Sequence, residues 1–186
     1  MARVTRNSLL QGISGKIGGI VVRQVGGQTI VSAAEAKEER APRSARQQAH
    51  LDRFFAAQCY ARAQMQDPAA KALYATGVDS RRQSPYHVAI ADFMHAPQII
   101  SVDTSAYQGQ GGDIIRVAAT DDFTVASVLL RLETATGELL EEGPALPLAS
   151  GFDWHYTTRS TGARAAVLHV QASDRPGNVA EQTIRL

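Results

Sequence analysis

The 186-residue chain has few of the residues that fix a small protein through covalent or metal bonds. It contains one cysteine, Cys59, which excludes an intramolecular disulfide. Cys59 falls within a helical pattern, where we expect a small buried hydrophobic side chain rather than a reactive thiol. None of the five histidines forms an i, i+4 pair of the kind that binds zinc. No apolar run approaches the roughly 18 residues of a membrane-spanning helix, so membrane insertion is not expected.

Signals for export and catalysis are equally scarce. Only Leu9 and Leu10 precede Gln11, too short an apolar segment for a secretory signal. We therefore expect cytoplasmic synthesis without a signal peptide, with export as part of a virion or an injection-type particle. The glycine-rich segment around Lys16 lacks the spacing of a phosphate loop, and no Gly-x-Ser-x-Gly elbow is present. The sequence predicts a protein without enzymatic activity or cofactor.

The formal net charge of +1 conceals an uneven distribution. Residues 1–97 carry 13 Lys/Arg and 7 Asp/Glu, a net +6, whereas residues 98–186 carry 6 and 11, a net −5. This difference predicts two modules that meet near Pro97. The basic half could bind nucleic acid or an acidic protein surface. We favour the acidic half of a neighbouring copy, in a head-to-tail assembly.

A β-hairpin is predicted in the N-terminal half. Two β-branched runs, residues 20–25 and 28–32, meet across Gly26-Gly27, and such a pair of glycines favours a two-residue hairpin turn. An isolated hairpin is only marginally stable in water. We therefore expect it to add strands to the sheet edge of a neighbouring subunit. The candidate interaction residues are Ile20, Val22, Val25, Ile30 and Val31.

Three helices are predicted after the hairpin. Ser44 has capping-box spacing and opens a helix to about Gln66. Asp67-Pro68 and Ser84-Pro85 each place an N-cap before a proline at the first helical position. The third helix ends before Pro97. The apolar positions expected to face the core on the first helix include Leu51, Phe54, Phe55 and Tyr60.

Arginines in this helical region make nucleic-acid binding an alternative hypothesis. The third helix, which would be the natural recognition helix, carries Asp92 but no Arg or Lys. Its exposed positions therefore cannot make the bidentate base contacts of sequence readout. We favour a solvated basic face.

The C-terminal half has the pattern of an all-β domain. Short β-rich segments alternate with turn signals, as in two-sheet sandwiches. About seven strands are predicted, at residues 99–102, 114–119, 125–132, 139–142, 154–158, 166–172 and 181–186.

Two segments of this half carry a family resemblance. The segment 167–180, VLHVQASDRPGNVA, resembles the final hairpin of bacterial immunoglobulin-like and fibronectin-III-like modules, in which a strand ends in Ser-Asp and turns through Gly-Asn. Residues 115–122 and 125–128 are similar to an earlier strand pair of these modules. The resemblance implies binding, spacing or assembly, and it carries over no catalytic residues. Residues 12–97 resemble, more faintly, N-terminal regions of uncharacterised bacterial proteins.

Taken together, these patterns predict an α+β protein of two modules. Residues 1–97 would form a β-hairpin with about three helices, and residues 98–186 an immunoglobulin-like β-sandwich. The leading hypothesis is a structural protein that associates with itself or with other subunits of a bacterial or phage-like assembly through its hairpin.

Acidic residues in the predicted turns are candidate calcium ligands. Asp121, Asp122 and Asp174 could supply the oxygen atoms that calcium prefers. They form no D-x-D-x-D-G loop, and Asp side chains commonly accept backbone N–H groups in turns. We favour the turn role and predict no metal site.

An aromatic strand supports the alternative function. Phe152, Trp154 and Tyr156 alternate and should point to the same side of the strand. A tryptophan on a sandwich strand is expected in the core. If this face is exposed instead, it would form a platform for a sugar or a protein partner. The alternative hypothesis is thus a monomeric module that binds carbohydrate or a cell surface.

Overall fold

The computed structural model describes residues 2–4, 13–34, 42–149, 151–159 and 164–186. Within these residues the chain forms three α-helices and twelve β-strands, which are arranged in three antiparallel sheets. The predicted mixed α+β class is therefore confirmed. Two compact units are present, Met1–Ser44 and Ala45–Leu186. The helices thus belong with the strands that follow them, which differs from the predicted boundary at residues 97/98.

The first unit is a sheet of four strands in the order β1-β4-β3-β2. The predicted hairpin, β3 with β4, is present at the centre of this sheet. Gly26 and Gly27 form its turn with φ of 56° and 75°, values that favour glycine. The strands are β1 (Ala2–Val4), β2 (Gly15–Ile17), β3 (Ile20–Val25) and β4 (Gln28–Ala33).

The second unit begins with helices α1 (Ala45–Gln66), α2 (Pro68–Ala75) and α3 (Pro85–Met94). Two of the three predicted N-caps, Asp67 and Ser84, are confirmed. The Asp67 carboxylate accepts a hydrogen bond from a backbone N–H in the first turn of α2, and the Ser84 hydroxyl does the same for α3. These caps satisfy backbone donors that have no partner within the helix.

The packing face of α1 differs from the prediction. Its buried residues are the small Ala57 and Ala61, whereas Phe55 is 63% exposed and Leu51 and Phe54 are also exposed. Small side chains on the buried face allow the close approach of α3, which packs against α1. The prediction that Cys59 is buried is wrong, because a residue two positions from Ala57 lies about 200° around the helix.

Two further sheets follow, which we call the β region. Their strand orders are β5-β6-β10-β9 and β12-β11-β7-β8. All seven predicted strands are present, and the two-residue β9 is additional. The strands are β5 (Gln98–Asp103), β6 (Ile114–Thr120), β7 (Val125–Glu133), β8 (Leu139–Pro144), β9 (Leu146–Pro147), β10 (Asp153–Thr157), β11 (Val167–Asp174) and β12 (Val179–Arg185).

One hydrophobic core joins the two sheets of the β region. Alternate residues point inward, as the two-residue period of a strand requires. The buried set draws on both sheets and includes Ile115, Val117, Val128, Leu130, Trp154, Tyr156, Leu168 and Val170.

A smaller core holds the helices together and reaches the β region. Tyr74 and Val88 are fully buried in it, and Phe123, from the loop after β6, packs against it. The rings of Tyr74 and Phe123 are stacked with centroids 4.9 Å apart. Gly77, just after α2, leaves the room that this contact needs. A Cβ at residue 77 would lie 2.8 Å from the Phe123 ring and 2.9 Å from Val88.

We predict that Gly77→Ala destabilises the second unit. The added methyl group would clash with the Phe123 ring and with Val88, so that these side chains must shift. Overpacking of this kind costs about 1–3 kcal/mol. Urea unfolding followed by Trp154 fluorescence measures the effect. Gly19→Ala is the control, since a Cβ there meets no atom within 4 Å. Equal unfolding midpoints for Gly77→Ala and the unmodified protein would contradict the prediction.

Candidate functional site

The predicted interaction residues of the hairpin are divided between the two faces of the first sheet. Val22 pairs with Val31, and Ile20 lies on the same face two residues before Val22. Val25 and Ile30 lie on the opposite face. Val22 is only 1% exposed, whereas Val25 is 56% exposed. Ile17 and Ile20, on the face of Val22, are 52% and 40% exposed. Both faces therefore carry exposed apolar side chains, and Val25 is the most exposed of the three.

The face that carries Val25 also carries positive charge. Lys16 lies opposite Val21, and Arg23 opposite Ile30, so both cations share the face with Val25. Both cationic side chains are exposed, and no acidic residue lies on this face among the described residues. We call this surface the basic face. It is defined by Lys16, Val21, Arg23, Val25 and Ile30.

The edges of the first sheet are not the hairpin strands. β3 and β4 are paired on both sides, and β1 and β2 are the edge strands of this sheet in the part of the chain that the structure describes. Only β1 or β2 could therefore accept a strand from a neighbour, and each is three residues long. The hairpin itself is available through its faces rather than through its backbone.

The aromatic residues do not form a common exposed surface. Trp154 and Tyr156 are 6% and 2% exposed and belong to the core of the β region. Phe152, which precedes β10, is exposed. The hypothesis of a three-residue ligand face is therefore not supported, because the inner side of β10 closes the core between the two sheets.

Two of the candidate calcium ligands meet an acidic residue from the helices. Asp92, Asp121 and Asp174 each place a carboxyl oxygen within 4.8 Å of the other two. We call these three residues the aspartate cluster. They come from α3, from the loop after β6 and from the end of β11. Asp122 points elsewhere and pairs with His95, with 2.5 Å between Oδ2 and Nδ1.

Asp92 is the most deeply buried member of the aspartate cluster. Its side chain has no exposed surface, and its Oδ2 accepts a 2.6 Å hydrogen bond from the Tyr74 hydroxyl. Among the described residues, Oδ1 of Asp92 and Oδ1 of Asp121 have no hydrogen-bond partner. Burial, together with the charges of Asp121 and Asp174, raises the pKa of Asp92 to about 7, although the Tyr74 hydrogen bond lowers it.

The side-chain amide of Asn178 ties the helices to the β region beside this cluster. Because α3 ends here, its last carbonyl groups need donors from outside the helix. The guanidinium of Arg53 on α1 donates to the Asn178 Oδ1, 3.2 Å away. The Nδ2 atom of Asn178 lies within 3.2 Å of four oxygen atoms, the carbonyls of Asp92, Phe93 and His95 and Oδ2 of Asp174.

Asp174 organises the turn that presents Asn178. Its Oδ1 accepts the backbone N–H groups of Gly177 and Asn178, at 2.9 and 2.6 Å. This is the turn role that the sequence favours for such residues. Burial raises the pKa of Asp174, while these hydrogen bonds oppose the shift.

Asp92 and Asn178 contribute to this site, although neither is among the site residues predicted from the sequence. A signal for Asp92 exists, since it lies four residues after the buried Val88 and thus on the apolar face of α3. A carboxylate on an apolar face requires a partner in the folded protein. Asn178 gives no comparable signal, because an asparagine after glycine is an ordinary turn residue.

Comparisons with known proteins do not identify the chain. No protein-family model and no curated protein matches it significantly. The crystal structure of CopC from Methylosinus trichosporium OB3b is similar to 48% of this chain and 88% of that chain, with 16% identity and a TM-score of 0.36. At this TM-score the similarity supports no conclusion about fold or function. Within the described residues no helix has the length and apolar character to span a membrane.

We predict that Asn178→Ala weakens the attachment of the helices to the β region. The substitution leaves the buried carbonyl of Asp92 without its side-chain donor, and an unsatisfied buried group of this kind costs about 1–3 kcal/mol. The free energy of unfolding in urea measures the loss. Gln182→Ala, at an exposed position of β12, is the control and should change it little. A similar, small effect of both substitutions would refute this role of Asn178.

Proposed function

We propose that this chain is a non-enzymatic structural subunit that associates with further copies of itself, as part of a bacterial or phage-like assembly. The N-terminal sheet makes the contact, and an immunoglobulin-like β-sandwich formed by residues 98–186 is displayed. The observation that carries the proposal is the accessible apolar surface on the basic face of the first sheet, centred on Val25.

The apolar residues of the first sheet lack a core of their own. Both hydrophobic clusters formed by the described residues consist of residues after Ser44. A small sheet gains stability when an apolar face is covered, and exposed apolar surface often marks a contact site. On the basic face, Val25 is 56% exposed. Association with another protein surface would remove part of this area from water.

Charge favours a second copy as the partner. The basic face presents Lys16 and Arg23, while residues 98–186 carry a net charge of −5. A head-to-tail contact therefore brings opposite charges together, whereas a contact between two basic faces brings like charges together. A head-to-tail contact also leaves an unused surface at each end, so it extends to rings or filaments.

The strand order supports an immunoglobulin-like sandwich for the displayed part. In chain order β5, β6, β7, β9, β10, β11 and β12 take the places of strands A, B, C, D, E, F and G. The order β5-β6-β10-β9 then corresponds to the A-B-E-D sheet of that fold, and β12-β11-β7-β8 corresponds to G-F-C with β8 as an additional strand in the place of C′. The chain lacks its disulfide, since Cys59 is the only cysteine. Such domains commonly serve as spacers or binding modules, which suits a displayed position.

The alternative of a carbohydrate-binding module lacks a comparable observation. Sugar platforms need exposed aromatic rings, and here Trp154 and Tyr156 are buried. Of the three predicted residues, only Phe152 is exposed.

We predict that the full-length protein forms a multimer and that the basic face holds it together. Light scattering after size exclusion should give a mass above the 19.9 kDa of one chain. Val25→Ser, which removes exposed apolar area from the basic face, should lower that mass. Ile20→Ser is the matched control, because Ile20 lies on the opposite face and should leave the mass unchanged. A 19.9 kDa species for the unmodified protein at every concentration would overturn the proposal.

We also predict that salt weakens the multimer. The Debye length, the distance over which exposed charges interact, shortens from about 10 Å at 0.1 M to about 3 Å at 1 M ionic strength. Sedimentation velocity at both ionic strengths should show dissociation at the higher one. Arg23→Glu should dissociate the multimer at low salt, because it places a negative charge against an acidic partner surface. A multimer that is insensitive to both changes would exclude the head-to-tail arrangement.

A further inference from the structure

The aspartate cluster brings three carboxyl groups close together in a largely buried region. Asp92, Asp121 and Asp174 come from positions far apart in the sequence, and the fold brings them together where the helices meet the β region. Asp92 and Asp174 are buried, at 0% and 4% exposure. Bringing negative charges together away from water is costly unless a positive charge compensates them.

No cationic side chain supplies that compensation within the described residues. The salt bridges there involve other acids. Arg53 reaches this region, but it donates to the Phe93 carbonyl and to Asn178. Arg82 donates to Asp79 and to the Asp122 carbonyl.

Turn formation does not account for the whole cluster either. Asp174 and Asp121 do accept backbone N–H groups in their turns, Asp121 through Oδ2 from Phe123. This leaves Oδ1 of Asp121 without a donor, and Oδ1 of the fully buried Asp92 is also without one. The Asp92 and Asp121 carboxyl groups are close enough for a direct hydrogen bond, which would need a proton on one of them. Either a shared proton or a cation would offset this concentration of negative charge, and a single cation can contact carboxyl oxygens of three residues that lie within 4.8 Å of one another.

We propose that the aspartate cluster binds a hard divalent cation of the calcium type, through Asp92, Asp121 and Asp174. The donor set consists of oxygen atoms alone, which suits calcium and disfavours zinc, whose protein sites usually contain histidine or cysteine. His95, which lines the same pocket as Asp121, is paired with Asp122. Asp121 is partly exposed, so water can reach the site and complete the coordination.

The bound cation connects three parts of the second unit. Asp92 belongs to α3, Asp121 follows β6 in one sheet, and Asp174 ends β11 in the other sheet. A cation held by all three therefore fastens the helices to the end of both sheets. This inference is independent of the proposed assembly, because the three ligands lie in the second unit and none belongs to the basic face.

Calcium titration of the full-length protein tests the inference directly. After treatment with EDTA and removal of the chelator, isothermal titration with calcium chloride should show one bound ion per chain. Thermal unfolding should occur at a higher temperature with calcium than with EDTA, because a ligand that binds only the folded state stabilises it. Both measurements use the metal alone as the probe.

Matched substitutions locate the ion. Asp121→Asn keeps an oxygen for the Phe123 N–H but removes a charge, and it should weaken calcium binding at least tenfold and abolish the thermal shift. Asp122→Asn, at the next residue, should retain the calcium affinity and the thermal shift, because Asp122 lies outside the cluster. In EDTA, Asp121→Asn should unfold at the same temperature as the unmodified protein or higher, since it relieves charge repulsion.

Three results would overturn the inference. The first is the absence of calcium binding, with identical melting in calcium and EDTA, which would assign a shared proton to the Asp92–Asp121 pair. The second is binding that Asp121→Asn and Asp122→Asn weaken equally, which would place the ion elsewhere. The third is a folded Asp121→Asn protein that binds calcium as tightly as the unmodified chain. None of these results bears on the multimer, whose test uses mass and not calcium.

Discussion

One side-chain amide supplies the hydrogen bonds between the end of α3 and the β region. Asn178 lies in the turn between β11 and β12, and its Nδ2 faces the carbonyls that α3 leaves open at its C-terminal end. A helix end buried without donors would be unstable. Asp174 stabilises the turn that presents Asn178, because its carboxylate accepts the backbone N–H groups of Gly177 and Asn178. The same aspartate thus shapes the turn and contributes a charge to the cluster, which links the attachment of the helices to the electrostatics of the site.

Local patterns in the sequence were sufficient for most of the secondary structure. Capping residues such as Asp67 and Ser84 and the pair Gly26-Gly27 act through backbone groups close to them in the chain, so their effect can be predicted without the tertiary structure. Packing faces depend on distant residues and were harder to predict. On α1 the aromatic Phe55 is exposed and Ala57 is buried, because the close approach of α3 selects small side chains.

The candidate sites illustrate the same limit. Asp121 and Asp174 could be recognised as acidic turn residues, but the third carboxylate, Asp92, comes from a helix about 30 residues before Asp121. The packing of α3 against the two sheets decides which acidic residues come close together. Neither residue spacing nor composition predicts that packing. The pairing of Asp122 with His95 has the same origin. In the first sheet, alternation along β3 placed Val25 and Val22 on opposite faces, but the burial of Val22 could only be seen in the structure.

The prolines at the margins of the β region have a consequence for solubility. β8 ends at Pro144, and the edge strand β9 contains Pro147. Proline has no N–H group to donate, so an incoming strand cannot pair continuously along these edges. Two of the four sheet edges of the β region are therefore poor templates for strand addition. The short strand β9, a minor element of the fold, thus limits strand addition at the edge of its sheet.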